Sequence, residues 1–217
     1  MLYDISILVD EDTPPWPGDA AFSCSWTALI AGGSTVNLST TSGSPHVGTH
    51  ADAPLHVCDG WNASEELPVA PFIGRATVID VADLSGAISL DQLKERTHGK
   101  ELERVLLRTG RTIADGEFPR EWPWLSNDAL THLLGLGNMQ LLGVDAPSVD
   151  ARDSKTLHNH ASIFTTGAYI LENLDLREIG PGTYELVALP LSVAGLDAAP
   201  VRAFLRPAKA GDKGSDR

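Results

Sequence analysis

Four residues able to bind a metal ion or move a proton fall within one short window of the chain. His46, His50, Asp52 and His56 lie in Pro45–His56, reading PHVGTHADAPLH. No other window concentrates so many such groups. All four sit at even positions, so in an extended segment they share one face. On a helix Asp52 would point roughly 200° away from His50, and Pro45, Gly48 and Pro54 argue against a helix. Fully extended, the run from His46 to His56 would reach ~33 Å at ~3.3 Å per residue, too far for one site. The window is therefore predicted to be extended but bent, with Gly48 as the place of the bend.

Two imidazoles and a carboxylate, from His46, His50 and Asp52, are a common donor set for zinc and also for manganese or iron. With one metal there, three protein donors leave a fourth position open for water, which marks a catalytic site. A lone histidine is usually solvated or hydrogen-bonded within the fold. Four donor-type residues on one face of a segment shaped by Gly and Pro call for another explanation. His56 lies beyond Pro54, outside that set. Its ordinary pKa lies near working pH, which suits a general acid or base. The competing reading is a histidine packed behind the site.

The elements that must hold this window are read from periodicity. Tyr3 to Val9 alternates and reads as a half-buried strand. EDTPPWPGD, with its prolines and glycine, is a stiff loop. Trp16 sits inside it, as loop packing or as an aromatic wall for a ligand. Ser25–Ile30 and Ser34–Thr41 read as a hairpin about Gly32-Gly33. Trp61 and Phe72 are further aromatic candidates. Arg75–Val81 and Arg104–Arg108 read as strands. Ser89 is placed to cap a helix through Thr97, and Ser126 one over Asp128–Leu136 ending at Gly137. Met139–Val144 is another strand, Asp153–Phe164 is helical, and Ala168–Leu171 is a strand with Glu172 at its end. Tyr184–Leu189 and Val201–Leu205 are the closing strands. Strands with interspersed helices, no repeat and no linker give a single α/β domain with mixed β-sheets over 1–207. The tail from 208 lacks apolar periodicity and is expected to be disordered.

The 217 residues are long enough for a real core. The formal net charge of −13 argues against nucleic acid or an anionic membrane as partner. The start has no basic region followed by an apolar core, as a signal peptide would. No apolar run of about 18 residues occurs, so no membrane span is expected. Cys24 and Cys58 form no CxxC pair and read as reduced thiols, so a cytoplasmic protein is expected.

HVGTHADAPLH resembles the HxGTHxDxPxH signature of the cyclase-like metal-dependent hydrolase family, most closely its arylformamidase branch. The PPWPGD loop, DSKTLHNH, ILENL and LPLSVAGLDAAPVRAFL extend the likeness over nearly the whole chain. The resemblance implies a swivelling β/β/α fold and two divalent metals per subunit, zinc foremost, with manganese or iron as alternatives. It assigns one metal to His46, His50 and Asp52. It makes Asp52 a bridge to a second metal, held also by His160 and Glu172. Spacing alone does not pair those last two, and His158 competes with His160. The family pattern of Leu, two residues, then His favours His160. The resemblance gives His56 the proton-transfer role and Trp16 the substrate contact.

The activity so implied is hydrolysis of N-formyl-L-kynurenine to L-kynurenine and formate, by a homodimer acting on a small aryl formamide. Another small amide, a lactam such as isatin, or a lactone is the alternative substrate. A non-catalytic metal-binding module is a weaker alternative, because structural sites are usually closed and rich in cysteine. Cys58 as a nucleophile and Ser154-Lys155 as a dyad are weighed and set aside. A metal site makes the thiol unnecessary, and adjacent side chains usually point apart. His98 and His132 need no special role.

Overall fold

The computed structural model describes residues 1–208. The chain opens with a short strand, β1 (Tyr3–Asp4), and a hairpin of β2 (Ser23–Ala28) and β3 (Leu38–Ser42). β4 (His50–Asp52) carries part of the histidine window into the sheet, followed by β5 (Ile73–Asp80) and β6 (Ala87–Ile88). Helices interspersed with strands follow: α1 (Leu90–Thr97), β7 (Arg104–Arg108), β8 (Trp124–Leu125), α2 (Asn127–Gly135), β9 (Leu141–Val144), α3 (His158–Thr165) and β10 (Tyr169–Glu172). β11 (Gly182–Val187), β12 (Ala198–Pro200) and β13 (Phe204–Pro207) follow.

Nine strands form one mixed sheet in the order β1-β13-β11-β5-β7-β9-β10-β4-β12. β5, β7, β9 and β10 are parallel, joined by crossovers that carry the three α-helices. The outer pairings are antiparallel. β12 lies at one end of this order and β13 next to the other, yet only Val201, Arg202 and Ala203 separate them. So short a link cannot cross a flat nine-stranded sheet at ~4.8 Å per strand. The sheet therefore curls until its ends approach. Asp175 N, just past β10, donates to Ile5 O at 2.8 Å, which ties the same two ends together.

The parallel strands are buried on both faces, which is why they read as continuous apolar runs. Val105 and Leu107 join a core with Leu93, Leu130 and Leu133 of the helices. Leu106 points the other way, into a core with Ile5, Phe72, Leu171 and Leu205 under the curl. The helix starts follow their caps. Ser89 and Gln92 form a reciprocal capping box, and Ser126 Oγ accepts from Ala129 N at 3.3 Å.

Several boundaries differ from expectation. The alternating face of Tyr3–Val9 is real, with Ile5 buried, but the strand is only β1. Beyond Asp4 the chain leaves β13 and makes a lone bridge at Ser6 to Leu174. The Val201–Leu205 strand is split, because its first residues make the link across the curl. α3 begins at His158 rather than Asp153, since Leu157 at φ +45° lies outside the right-handed helical region. Phe72 is wholly buried in the core and Trp61 lies on the surface. The expected disordered tail lies, past residue 208, outside the described residues.

Candidate metal centre

The histidine window bends at Gly48, which has φ +76°. A Cβ there would stand 2.3 Å from Val9 Cγ2, so no other residue fits without displacement. The window bends a second time, which the shared parity of its residues did not foresee. After β4 the chain turns into a one-turn 3-10 helix, Pro54–His56. Only His50 and Asp52 therefore share a strand face. His46 reaches them from before the bend and His56 from after the turn.

Three donor atoms converge at the first corner. His46 Nδ1 lies 3.1 Å from His50 Nε2 and 3.2 Å from Asp52 Oδ1, and His50 Nε2 lies 3.2 Å from the same oxygen. Asp52 is fully buried, and its Oδ1 has no hydrogen-bond partner among the described residues. An orphaned carboxylate oxygen so placed is costly unless something else satisfies it. Donors set tetrahedrally ~2.0–2.1 Å from one zinc ion stand ~3.3 Å apart, so the observed spacing fits a metal. A second corner shares the same carboxylate. His160 Nε2 is 3.2 Å from Asp52 Oδ2 and 3.3 Å from Glu172 Oε1. Asp52 thus offers one oxygen to each corner.

Each imidazole is held from its far side. His46 Nε2 lies 3.0 Å from Asp197 Oδ2, His50 Nδ1 lies 2.9 Å from Gly48 O, and His160 Nδ1 lies 2.7 Å from Asp150 Oδ2. Such outer acceptors fix the tautomer and aim the other nitrogen inward, as around bound metals. Asp150 also accepts from the amides of Asn159 and His160, so it seats the first turn of α3 while aiming His160. His158 is exposed and turned toward Ser162, away from the cluster.

The electrostatics say the same. Burial pulls His46 toward the neutral form, but Asp197 and Asp52 outweigh it and raise its pKa to about 10. His160 is likewise raised well above its ordinary value, against burial, by Glu172, Asp150 and Asp52. Burial works against ionised Asp52 too, yet the charge of His50, the hydrogen bond between His160 and Oδ2 and the His46 and His50 nitrogens beside Oδ1 hold its pKa well below the carboxylate range. Without a metal the cluster recruits protons as its cations. The donor set, its spacing and its charge all fit divalent ions.

A cavity of about 410 Å³ opens above the cluster. His46, His50, His56, His160 and Glu172 line its floor, with Trp16 and Phe118 on the wall. Trp16 stacks edge-on against Phe118 at 5.3 Å and Trp122 at 6.0 Å between ring centroids. Trp122 is buried and donates from its indole N–H to Asp150 O at 2.8 Å. The aromatic wall is thereby tied to the residue that aims His160. The part-buried His56 ring lies 4.4 Å from that of His46 and 5.7 Å from that of His160. The window and the distant pair His160 and Glu172, expected at one site, are brought together.

The family model for cyclase matches residues 3–151. The chain belongs to the cyclase family. A relative from Salinibacter ruber named kynurenine formamidase is 42% identical over 95% of this chain and 98% of its own length. Among solved structures, one described as a potential metal-dependent hydrolase with cyclase activity superposes with a TM-score of 0.80 at 26% identity. It covers 94% of this chain and 96% of its own. An isatin hydrolase bound to thioisatinate also reaches 0.80, at 20% identity over 95% of this chain and 92% of its own, a likeness of fold alone. The single-domain α/β fold with its mixed sheet is that of cyclase-family hydrolases.

Sequence reasoning missed Asp197, Asp150 and Phe118 in this site, and set Lys155 aside. Asp197 stands just before β12, which pairs with β4. A signal existed only in that pairing, and pairing is not visible in sequence. Ser154 and Lys155 both line the cavity, with Ser154 Oγ accepting from Leu157 N at 3.1 Å.

Proposed function

We propose that this protein is a metal-dependent arylformamidase that hydrolyses N-formyl-L-kynurenine to L-kynurenine and formate. Two divalent ions per chain, zinc foremost with manganese or iron as alternatives, would be held by His46, His50 and Asp52 and by Asp52, His160 and Glu172. The observation that carries the reading is the shared Asp52, one oxygen to each donor corner, beneath a cavity with an aromatic wall. Divalent ions there would supply Lewis-acid chemistry, including a lowered pKa for a water.

The chain's own residues do the rest. Trp16 holds the aryl ring from the cavity wall, backed by Phe118 and Trp122. The buried floor keeps its donors fixed before substrate arrives, so little reorganisation is needed during reaction. His56 Nε2 takes a proton as water adds to the formyl carbon. It returns that proton to the anilide nitrogen as the C–N bond breaks. At the cavity mouth lie exposed Lys155 and Asp19, one of each charge. They suit the carboxylate and ammonium of an amino-acid substrate. Isatin, a neutral lactam, has neither group, so this rim favours the formamide over the lactam.

The same reading places the protein in the cytoplasm as a homodimer, one domain spanning 1–207. No helix among the described residues is long and apolar enough to cross a membrane. The β2–β3 hairpin stands out with Trp26, Ile30, Val36 and Leu38 exposed, an apolar surface of the kind that subunits cover.

The test is a substrate panel under one condition: N-formyl-L-kynurenine, formanilide, isatin and a simple lactone. The expected order puts N-formyl-L-kynurenine first in kcat/KM. Faster turnover of isatin, or of the lactone, overturns the assignment.

A further inference from the structure

One oxygen of Asp197 touches two histidines with different duties. Oδ2 lies 3.0 Å from His46 Nε2 and 3.1 Å from His56 Nδ1. The carboxylate is not placed by chance of a mobile loop. Asp197 O accepts from Ala53 N at 2.9 Å, and the next residue, Ala198, pairs with Asp52 across β12 and β4. Asp197 is therefore pinned to the strand that carries the shared ligand, with its side chain turned across both imidazoles.

A neutral imidazole has one N–H and one lone pair. A carboxylate only accepts, so the contact puts the His56 proton on Nδ1 and the lone pair on Nε2. Nε2 has no hydrogen-bond partner among the described residues, and His56 lines the cavity. Without Asp197 the His56 ring, carried on a single 3-10 turn, would be free to rotate or to adopt the other tautomer.

We propose that Asp197 is a positioning residue that acts through His56, fixing its tautomer and aiming Nε2 at the reacting formamide. The same oxygen holds His46, so the proton carrier and the first metal corner share one anchor. A shift of either imidazole is then felt by the other. The proposal rests on the formamidase reading above, in which His56 carries the proton.

The experiment compares wild type, Asp197→Ala, Asp197→Asn, His56→Ala and the double variant Asp197→Ala/His56→Ala, all with zinc in excess. The Asp197 side chain is 43% exposed, so its removal leaves the core intact. Three results are expected for Asp197→Ala. First, kcat on N-formyl-L-kynurenine falls about 10- to 100-fold, the scale of a misplaced catalytic group, with KM within about twofold. Second, the loss shrinks to about threefold or less on a 4-nitroformanilide, whose amine departs with little help from an acid. Third, removing Asp197 when His56 is already absent costs less than about threefold more. Asp197→Asn keeps an acceptor for Nδ1–H and recovers part of the loss. A separate readout on substrate-free protein, competition for zinc with a chromophoric chelator, is expected to show affinity weakened about tenfold through His46.

The proposal is overturned if Asp197→Ala costs the same factor with and without His56, or on both leaving groups. It is also overturned if excess zinc restores full kcat, since the role would then be metal retention alone. If wild type hydrolyses no aryl formamide, the formamidase reading fails. If wild type is active and Asp197→Ala equals it, only the role of Asp197 fails.

Discussion

Glu172 lies directly opposite His50 in the antiparallel pairing of β10 with β4. Residues facing each other across such a ladder share a face. The pairing therefore puts Glu172 beside His50 and Asp52, although more than a hundred residues separate them. Helix α3, just before β10, brings His160 to the other oxygen of Asp52. One carboxylate between two donor corners makes an unequal pattern of mutant effects.

Asp52→Ala is expected to empty both corners, with bound metal per chain falling close to none and activity falling at least 10³-fold. His160→Ala is expected to empty mainly the second corner, keeping about one ion. Elemental analysis of the purified variants checks this. Equal metal loss in the two variants would contradict a shared Asp52.

How much of this was legible in sequence follows from where the interactions are made. His46, His50 and Asp52 are local, and a bend at Gly48 sufficed to bring them together. The second bend at Pro54–His56 was not foreseen, because shared parity suggested one continuous strand face. His160 and Glu172 came only through family likeness, since their meeting depends on strand register. Asp197 and Asp150 were invisible for the same reason, acting across β12–β4 and the start of α3. The helices capped by Ser89 and Ser126 were readable from their own residues. The split of Val201–Leu205 was not, because it answers to the curl of the whole sheet.

Metal uptake is expected to release protons. His46, with its pKa raised to about 10, and His160, raised well above its usual value, are expected to hold protons near neutral pH in metal-free protein. Ligation needs the neutral imidazole, so each ligated ring gives up a proton and apparent affinity falls as pH falls. Calorimetric zinc titrations in two buffers of different ionisation enthalpy should report at least one proton released per chain. Heats independent of the buffer would contradict the protonated cluster.

Gly48→Ala is expected to lower unfolding free energy by about 2–4 kcal/mol, from a left-handed backbone and the collision with Val9 together. Urea unfolding of metal-free protein measures it, so that lost metal does not enter. A change under about 0.5 kcal/mol would mean that the bend tolerates a side chain.

Lys155→Met is expected to raise KM for N-formyl-L-kynurenine about three- to fivefold and leave formanilide unchanged. The modest size follows from the exposure of the lysine, where solvent screens the charge pair. Equal changes on both substrates would show that Lys155 does not read the substrate carboxylate.

The most direct test of the central claim follows formate release as metal is returned to chelated protein. Activity on N-formyl-L-kynurenine is expected to be absent without metal and to rise with zinc bound, reaching its full value at two ions per chain. Full activity in metal-free protein, or a plateau at one ion, would contradict a catalytic centre built on both corners of Asp52.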